Sequence, residues 1–326
     1  RTQAISKVSA TKKIFATGTP IVSYPYELFP LIHMLSPSDW PEFKRFEWEY
    51  CPYGRMSGRN LEALQSILRN GINGTKPLMI RRLKKEVLKD LPRKRRQIIE
   101  LSPSDDALTR LVDKENNLWD QINEGGAFLP EVEEILSNVK DAETDKDFMA
   151  IIEGMKFNKG YLMQEISKVR HELARAKVPY VCEHIENILE NKDKLVVFTY
   201  HRDVAEMICE KFSSKSVLIH GGINIDARHD RIEKFWNDSE CELMVCTMRA
   251  GGMGVNLQCA AHIVFAEMDW VPGILSQSED RCHRIGQEYS LLVQHVVVEN
   301  SMDSYMAKKV IYKQKMIDKT VNPVRM

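Results

Sequence analysis

The rhythm of apolar and polar positions changes near residue 161. Beyond it, short continuous apolar runs at 195–200, 216–220, 242–247, 262–267 and 291–298 predict five strands. Amphipathic stretches between them predict helices. One runs through Phe212, one from Asp226 to Trp236, and one carries Arg281 and Arg284 ahead of the last strand. A further helix over 178–190 leads in. Apolar strands alternating with helices predict a parallel sheet covered on both faces, an α/β fold. Before residue 161 the pattern is helical and irregular. Residues 13–17 read as a short strand that runs into the Gly18-Thr19-Pro20 turn. The stretch 61–70 is periodic. The stretch 81–91 puts Leu83, Val87, Leu88 and Leu91 on one helix face and stops at Pro92. Residues 104–146 are polar, acidic and helix-like, with no evident chemistry.

In open α/β sheets, ligands bind beyond the carboxyl ends of the strands. Four polar or glycine-rich points fall there: Tyr200-His201-Arg202, His220-Gly221-Gly222, Thr247 to Asn256, and Glu267 to Trp270. Composition narrows the chemistry. The 326 residues carry 46 Lys+Arg against 46 Asp+Glu, so any basic footprint is local. Seven Cys without a C-x-x-C pair or finger-like His spacing argue against a metal site and suit a reducing compartment. No apolar run has membrane-spanning length, so a membrane partner is not expected. The chain starts at Arg1 rather than Met, which reads as a piece of a longer protein.

Three motifs carry candidate chemistry. In Gln277-Ser278-Glu279-Asp280-Arg281-Cys282-His283-Arg284-Ile285-Gly286-Gln287, residues Gln277, Arg281 and Arg284 are spaced i, i+4, i+7 and would share a helix face. Two guanidiniums on one face make an anion clamp; the bland alternative is a solvated charged helix. Gly251, Gly252 and Gly254, ahead of Asn256, allow close backbone approach to a phosphate or ribose. A dinucleotide-binding turn would need Gly or Ala where Leu257 stands, and would follow the first strand. The third motif, Thr17-Gly18-Thr19-Pro20, is by itself an ordinary turn. The run from Arg81 to Arg96 is the densest basic patch. It reads as a phosphate-contacting surface, a nuclear-localisation-like patch, or a helix with one buried stripe. Trp270 reads as a packing residue, His220 equally as strand-end packing or as part of the ligand edge, and His283 as a packing or supporting residue rather than a proton-transfer catalyst.

In order and content these motifs resemble the late motifs of SWI/SNF-type DNA translocases, nucleic-acid-dependent ATPases with two RecA-like lobes. Pro25-Tyr26-Glu27-Leu28-Phe29, Phe265-Ala266-Glu267 before Asp269-Trp270, and the Gln277–Gln287 segment look like the annealing-helicase branch. The segment Gly251 to Leu257 is closer to remodeller-like branches, and His220 stands where an acidic residue is usual. The resemblance implies that residues 1–20 end the first RecA-like lobe. Residues 21–160 would then be an all-α insertion with a brace, and 161–326 the second RecA-like lobe.

It also implies roles. Arg281 and Arg284 would be arginine fingers, with Gln277, Gly252, Gly254 and Asn256 at the nucleotide. Thr199, His201, Arg202, Gly221, Gly222, Thr247 and Arg249 would contact one strand's phosphates on double-stranded or branched DNA. Thr17, Gly18 and Thr19 would couple the lobes. The cofactor would be ATP with Mg2+, bound mainly by the first lobe, and the location nuclear in a eukaryote, otherwise cytoplasmic. Neither a G-x-x-x-x-G-K-[ST] loop nor a D-E-x-H motif occurs in the chain. The chain alone is therefore expected to be inactive. A non-hydrolysing DNA-binding or scaffolding module stands as the alternative.

Overall fold

The computed structural model describes residues 10–17, 25–50, 58–71, 76–80, 82, 84–103, 106–124, 157–190, 194–251, 255–269, 271–301, 303–304 and 307. At its centre is a six-stranded sheet with every pairing parallel. The strands are β1 Lys94–Leu101, β2 Leu195–Thr199, β3 Ser216–Ile219, β4 Leu243–Thr247, β5 His262–Phe265 and β6 Leu291–Val298, ordered β1-β6-β5-β2-β4-β3. Five of them fall on the five apolar runs. β2 and β4 are buried along their whole length, as a sheet covered on both faces requires.

Strand β1 is a correction to the helical reading of residues 21–160. Its sequence, Lys-Arg-Arg-Gln-Ile-Ile-Glu-Leu, opens on three cations and looks like a solvated helix face. The charges are tolerated because β1 is an edge strand, where they also discourage pairing with another chain. Ile98 packs into the core on one face of the sheet, and Ile99 and Leu101 into the core on the other.

Strand periodicity divides the core. Val196 and Phe198 of β2 enter one apolar cluster together with Phe235, Leu275 and Cys282. Leu195 and Val197 enter the other, with Val181, Ile185, Val204 and Ile208.

The elements before the second strand are α1 Phe29–Leu35, α2 Phe43–Tyr50, α3 Gly58–Asn70, α4 Lys84–Val87, α5 Asp106–Glu124, α6 Phe157–Ala176 and α7 Val178–Leu189. Helices α1 to α3 have a small core of their own: Leu28, Ile32, Trp40, Phe46, Tyr50, Leu64 and Leu68. The helix expected over 81–91 shrinks to the single turn of α4. Residues 13–17 form no strand and do not join the sheet, and Ile14 is 92% exposed. A lone extended segment has no ladder to complete, and the described strands all pair with one another. Most of the acidic stretch after Glu124 lies outside the described residues.

Candidate functional site

Three helices follow strands of the sheet directly: α8 Arg202–Lys211, α9 Ile225–Asn237 and the short α10 Met248–Gly251. The next, α11 Pro272–Cys282, runs back across the sheet from the carboxyl end of β5 toward the amino end of β6. The predicted site residues are therefore divided between two edges. Thr199, His201, Arg202, Gly221, Gly222, Thr247 and Arg249 lie at the carboxyl ends of β2, β3 and β4. Arg281 and Arg284 lie at the amino ends of β6 and β1, where His283 Nε2 donates to the carbonyl of Pro92 at 2.8 Å and Leu291 N to that of Arg93 at 2.9 Å.

Helix α11 ends at Cys282, so Arg284 is not on the helix face with Gln277 and Arg281. Its amide bonds back to Cys282 O at 3.1 Å in a turn closed by Gln287 N on Arg284 O at 3.0 Å. The two guanidiniums remain electrostatic neighbours. Burial, and then the charge of Arg284, lower the pKa of Arg281, which stays cationic. Arg284 is exposed and Arg281 half-buried.

This turn is pinned from two sides. On one, Leu257 N donates to Arg281 O at 3.0 Å. The buried amide of Gln287 reaches the carbonyls of Gln258 at 3.0 Å and Ala260 at 2.9 Å. On the other, the buried carboxylate of Glu279 accepts from Lys94 Nζ at 2.6 Å and from Arg96 Nε and Nη2, both at 2.7 Å. Burial is the largest influence on Glu279 and would raise its pKa. Lys94 and Arg96 outweigh it and bring the carboxyl to about 2. Lys84 Nζ adds an ion pair to Asp280 at 3.0 Å and a bond to His283 O at 2.7 Å. Burial, joined by Lys94 and Lys84, lowers the pKa of His283, so the ring is a neutral donor to Pro92. Three cations of the basic run, Lys84, Lys94 and Arg96, thus have partners within the fold, while Arg82, Lys89, Arg93 and Arg95 are exposed.

At the other edge, Glu267 organises the loop after β2. It is 2% exposed. Its Oε2 accepts from Tyr200 N at 2.8 Å and His201 N at 2.9 Å, and its Oε1 lies 2.6 Å from His201 Nδ1. Burial acts most strongly and would raise its pKa, but the His201 contacts and Arg170 together hold it below the ordinary value. The His201 ring stacks on His171 at 4.2 Å, and His171 Nε2 reaches both oxygens of Asp203 at 2.8 Å.

These contacts correct the expected phosphate strip. The amides of Tyr200 and His201 are occupied by Glu267. Thr199 is fully buried, and its hydroxyl donates to His201 O at 3.1 Å. Gly222 N donates to His220 Nδ1 at 3.1 Å. Burial first, and then Arg202, lower the pKa of His220, as suits a neutral acceptor. Thr247 is buried as well. What this edge presents outward is side-chain charge, Arg202 and Arg249, beside the exposed Gly221 and Gly222.

Gly252, Gly254, Gly18, Thr19 and Trp270 lie outside the described residues. Asn256 is exposed, and its carbonyl accepts from Trp236 Nε1 at 2.9 Å. Asp269 is buried; its Oδ1 accepts from Val271 N at 2.9 Å, while Oδ2 has no hydrogen-bond partner among the described residues. Burial raises its pKa. Among the described residues no cluster of three metal-ligating side chains occurs, and no helix is long and apolar enough to cross a membrane.

Sequence reasoning missed Glu267 and the trio of Glu279, Lys94 and Arg96 as organisers. For the trio a signal existed: Lys94 and Arg96 are two apart, which on a strand puts them on one face. For Glu267 none did, because its partners are more than sixty residues away.

Residues 176–286 match the family model described as the helicase conserved C-terminal domain, and residues 1–129 match the SNF2-related domain. The chain is 30% identical over 309 residues to the Xenopus tropicalis "SWI/SNF-related matrix-associated actin-dependent regulator of chromatin subfamily A-like protein 1", covering 91% of this chain and 29% of that protein. It is 28% identical over 328 residues to the human "DNA annealing helicase and endonuclease ZRANB3", covering 96% and 27%. A solved "Sulfolobus solfataricus SWI2/SNF2 ATPase core domain" aligns at 18% identity and a TM-score of 0.48, over 92% of this chain and 63% of that one. The chain spans less than a third of the length of these two curated relatives.

Proposed function

The chain belongs to the SWI/SNF-type family, with a SNF2-related segment and a helicase conserved C-terminal domain, and from that premise we propose that it is the C-terminal part of an ATP-driven translocase on double-stranded or branched DNA. Arg281 and Arg284 act as arginine fingers on a triphosphate held, with Mg2+, by the first RecA-like lobe. When bound, the magnesium–triphosphate supplies the bond that is cleaved. The residues of this chain supply positive charge against the charge that develops on the phosphoryl group. Gln277, Gly252, Gly254 and Asn256 border the nucleotide. Thr17, Gly18 and Thr19 couple the lobes.

The observation that carries this reading is the placement of the two arginines. They are close enough for one to lower the pKa of the other. They sit in the last turn of α11 and in the bend after it, held on both flanks, at the opposite edge of the sheet from Arg202 and Arg249. A pre-organised cationic pair away from the DNA-contacting edge suits chemistry on one ligand and tracking along another. The loop organised by Glu267 presents Arg202 and His201, with Gly221, Gly222 and Arg249 beside them. These contact phosphates and read no base edges. For a eukaryotic protein the location is nuclear.

The test is Arg281→Ala and Arg284→Ala in the protein with its first lobe. DNA-stimulated turnover should fall on the order of a thousandfold, while DNA affinity stays within about twofold. A parallel loss of DNA affinity would refute the finger assignment.

A further inference from the structure

We propose that Lys94 and Arg96 of β1 are positioning residues for the arginine pair: through the buried carboxylate of Glu279 they fix where α11 ends and hence where Arg281 and Arg284 stand. The inference rests on the reading of those arginines given above.

Three observations support it. The first is geometry. Glu279 lies two residues before Arg281, is 2% exposed, and accepts three short bonds from one strand more than 180 residues upstream. The Arg96 contact is a two-pronged fork, which fixes direction as well as distance. Lys84 on His283 O and His283 on Pro92 O hold the turn that follows. The arginine turn cannot shift relative to β1 without breaking this set.

The second is electrostatics. Unpaired, Glu279 and Asp280 would set two negative charges beside Arg281 and disfavour any bound polyanion. Lys94, Arg96 and Lys84 pair with both acids. Their charge offsets that of the two acids beside Arg281, and Glu279 stays ionised at any physiological pH.

The third is connectivity. Lys84, Pro92, Lys94 and Arg96 belong to the segment that matches the SNF2-related domain, whereas α11 belongs to the helicase conserved C-terminal domain. The ion cluster therefore joins residues of the two matched segments. Lys84, Lys94 and Arg96 of the basic run thereby serve the triphosphate chemistry.

The experiment uses the protein with its first lobe and compares Lys94→Ala/Arg96→Ala, Arg96→Lys, Glu279→Gln and Arg281→Ala. The readouts are kcat and KM for ATP, DNA affinity, and the thermal unfolding midpoint. The double variant should lower kcat roughly 10- to 100-fold with DNA affinity within about twofold, and Arg96→Lys should lie between it and the parent because one charge remains without the fork. An unchanged kcat in the folded double variant, or a loss of DNA affinity in step with kcat, would overturn the proposal. If the double variant unfolds, Arg96→Lys and Glu279→Gln decide: kcat lowered at an unchanged midpoint supports the proposal, and unchanged kcat overturns it. Arg281→Ala separates the two ideas. If it retains turnover, the finger reading fails. If it loses turnover while the folded β1 variants keep theirs, only the positioning role fails.

Discussion

The backbone N–H of Leu257 donates to the carbonyl oxygen of Arg281 across 3.0 Å. One residue closes the glycine-containing segment and the other nearly closes α11. The bond makes a single unit of two motifs that are separate in sequence. Gln287 repeats the joint with its amide on Gln258 and Ala260. Gly286 makes the approach possible: its φ is +94°, and a Cβ there would lie 2.6 Å from Gln258 Nε2.

Gly286→Ala should therefore destabilise the chain by about 1–2 kcal/mol, from backbone strain and displacement of Gln258. Urea unfolding measures this. A change within about 0.5 kcal/mol, the usual range for a surface substitution, would contradict the tight packing described.

Gln287→Leu leaves the carbonyls of Gln258 and Ala260 without their donor. Each buried unsatisfied group costs about 1–3 kcal/mol, so a loss of several kcal/mol is expected, greater than for Gly286→Ala. The check is the denaturation midpoint, together with a fall in turnover in the protein with its first lobe.

Acid should weaken the sheet edge in two steps. His295 is buried against Phe265 at 4.9 Å. Burial lowers its pKa from 6.5 to about 4; Glu279 opposes the shift and Arg96 adds to it. Its folded pKa is depressed, so stability is full above about pH 6.5 and lost as pH falls toward 4. Glu279 likewise contributes fully above about pH 4.5, and its share, about 3 kcal/mol, is lost as pH falls toward 2. Unfolding free energy measured against pH should flatten between 6.5 and 4 in His295→Phe, and below 4.5 in Glu279→Gln.

Lys177 is 1% exposed and pairs with the buried Asp303, its Nζ also reaching Val296 O at 3.1 Å. Lys177→Met strands a buried carboxylate and should cost about 3–5 kcal/mol. Lys177→Met with Asp303→Leu should recover much of that loss. A double variant no better than the single one would show that the pair is not coupled.

DNA binding by the protein with its first lobe should weaken steeply with salt and show little sequence preference. Arg202→Ala and Arg249→Ala should each reduce the slope of log affinity against log salt by about one. Thr199→Ala should leave the slope unchanged, because its hydroxyl faces inward.

The chain by itself should hydrolyse no ATP above background, for want of a phosphate loop. A DNA-stimulated signal from the purified chain, abolished by Arg281→Ala, would contradict this.

Five strands were legible because their side chains are apolar on both faces, and burial on both faces is what a run such as Leu-Val-Val-Phe-Thr encodes. β1 was not legible, because its three opening cations look like a solvated helix face and their partner on α11 lies nearly two hundred residues away. The helix through Arg281 was legible from periodicity, but its end was not. Glycine-free, the stretch Cys282-His283-Arg284 is helix-compatible, and the stop comes from Lys84, Pro92 and Leu257 holding the turn. The amides expected to meet phosphate were misjudged for a similar reason. That a carboxylate from the next strand's end would occupy them is a tertiary fact.

The pairing of Lys94 with Leu291 spans 197 positions. At a synthesis rate of 5–20 residues per second, β1 leaves the ribosome roughly ten to forty seconds before its neighbour β6 exists. During that interval Ile98, Ile99 and Leu101 have no core to enter. The cations Lys94, Arg95 and Arg96 precede them directly, a gatekeeper arrangement that keeps an unpaired strand from joining the wrong one. The residues that later grip Glu279 thus protect the nascent chain first.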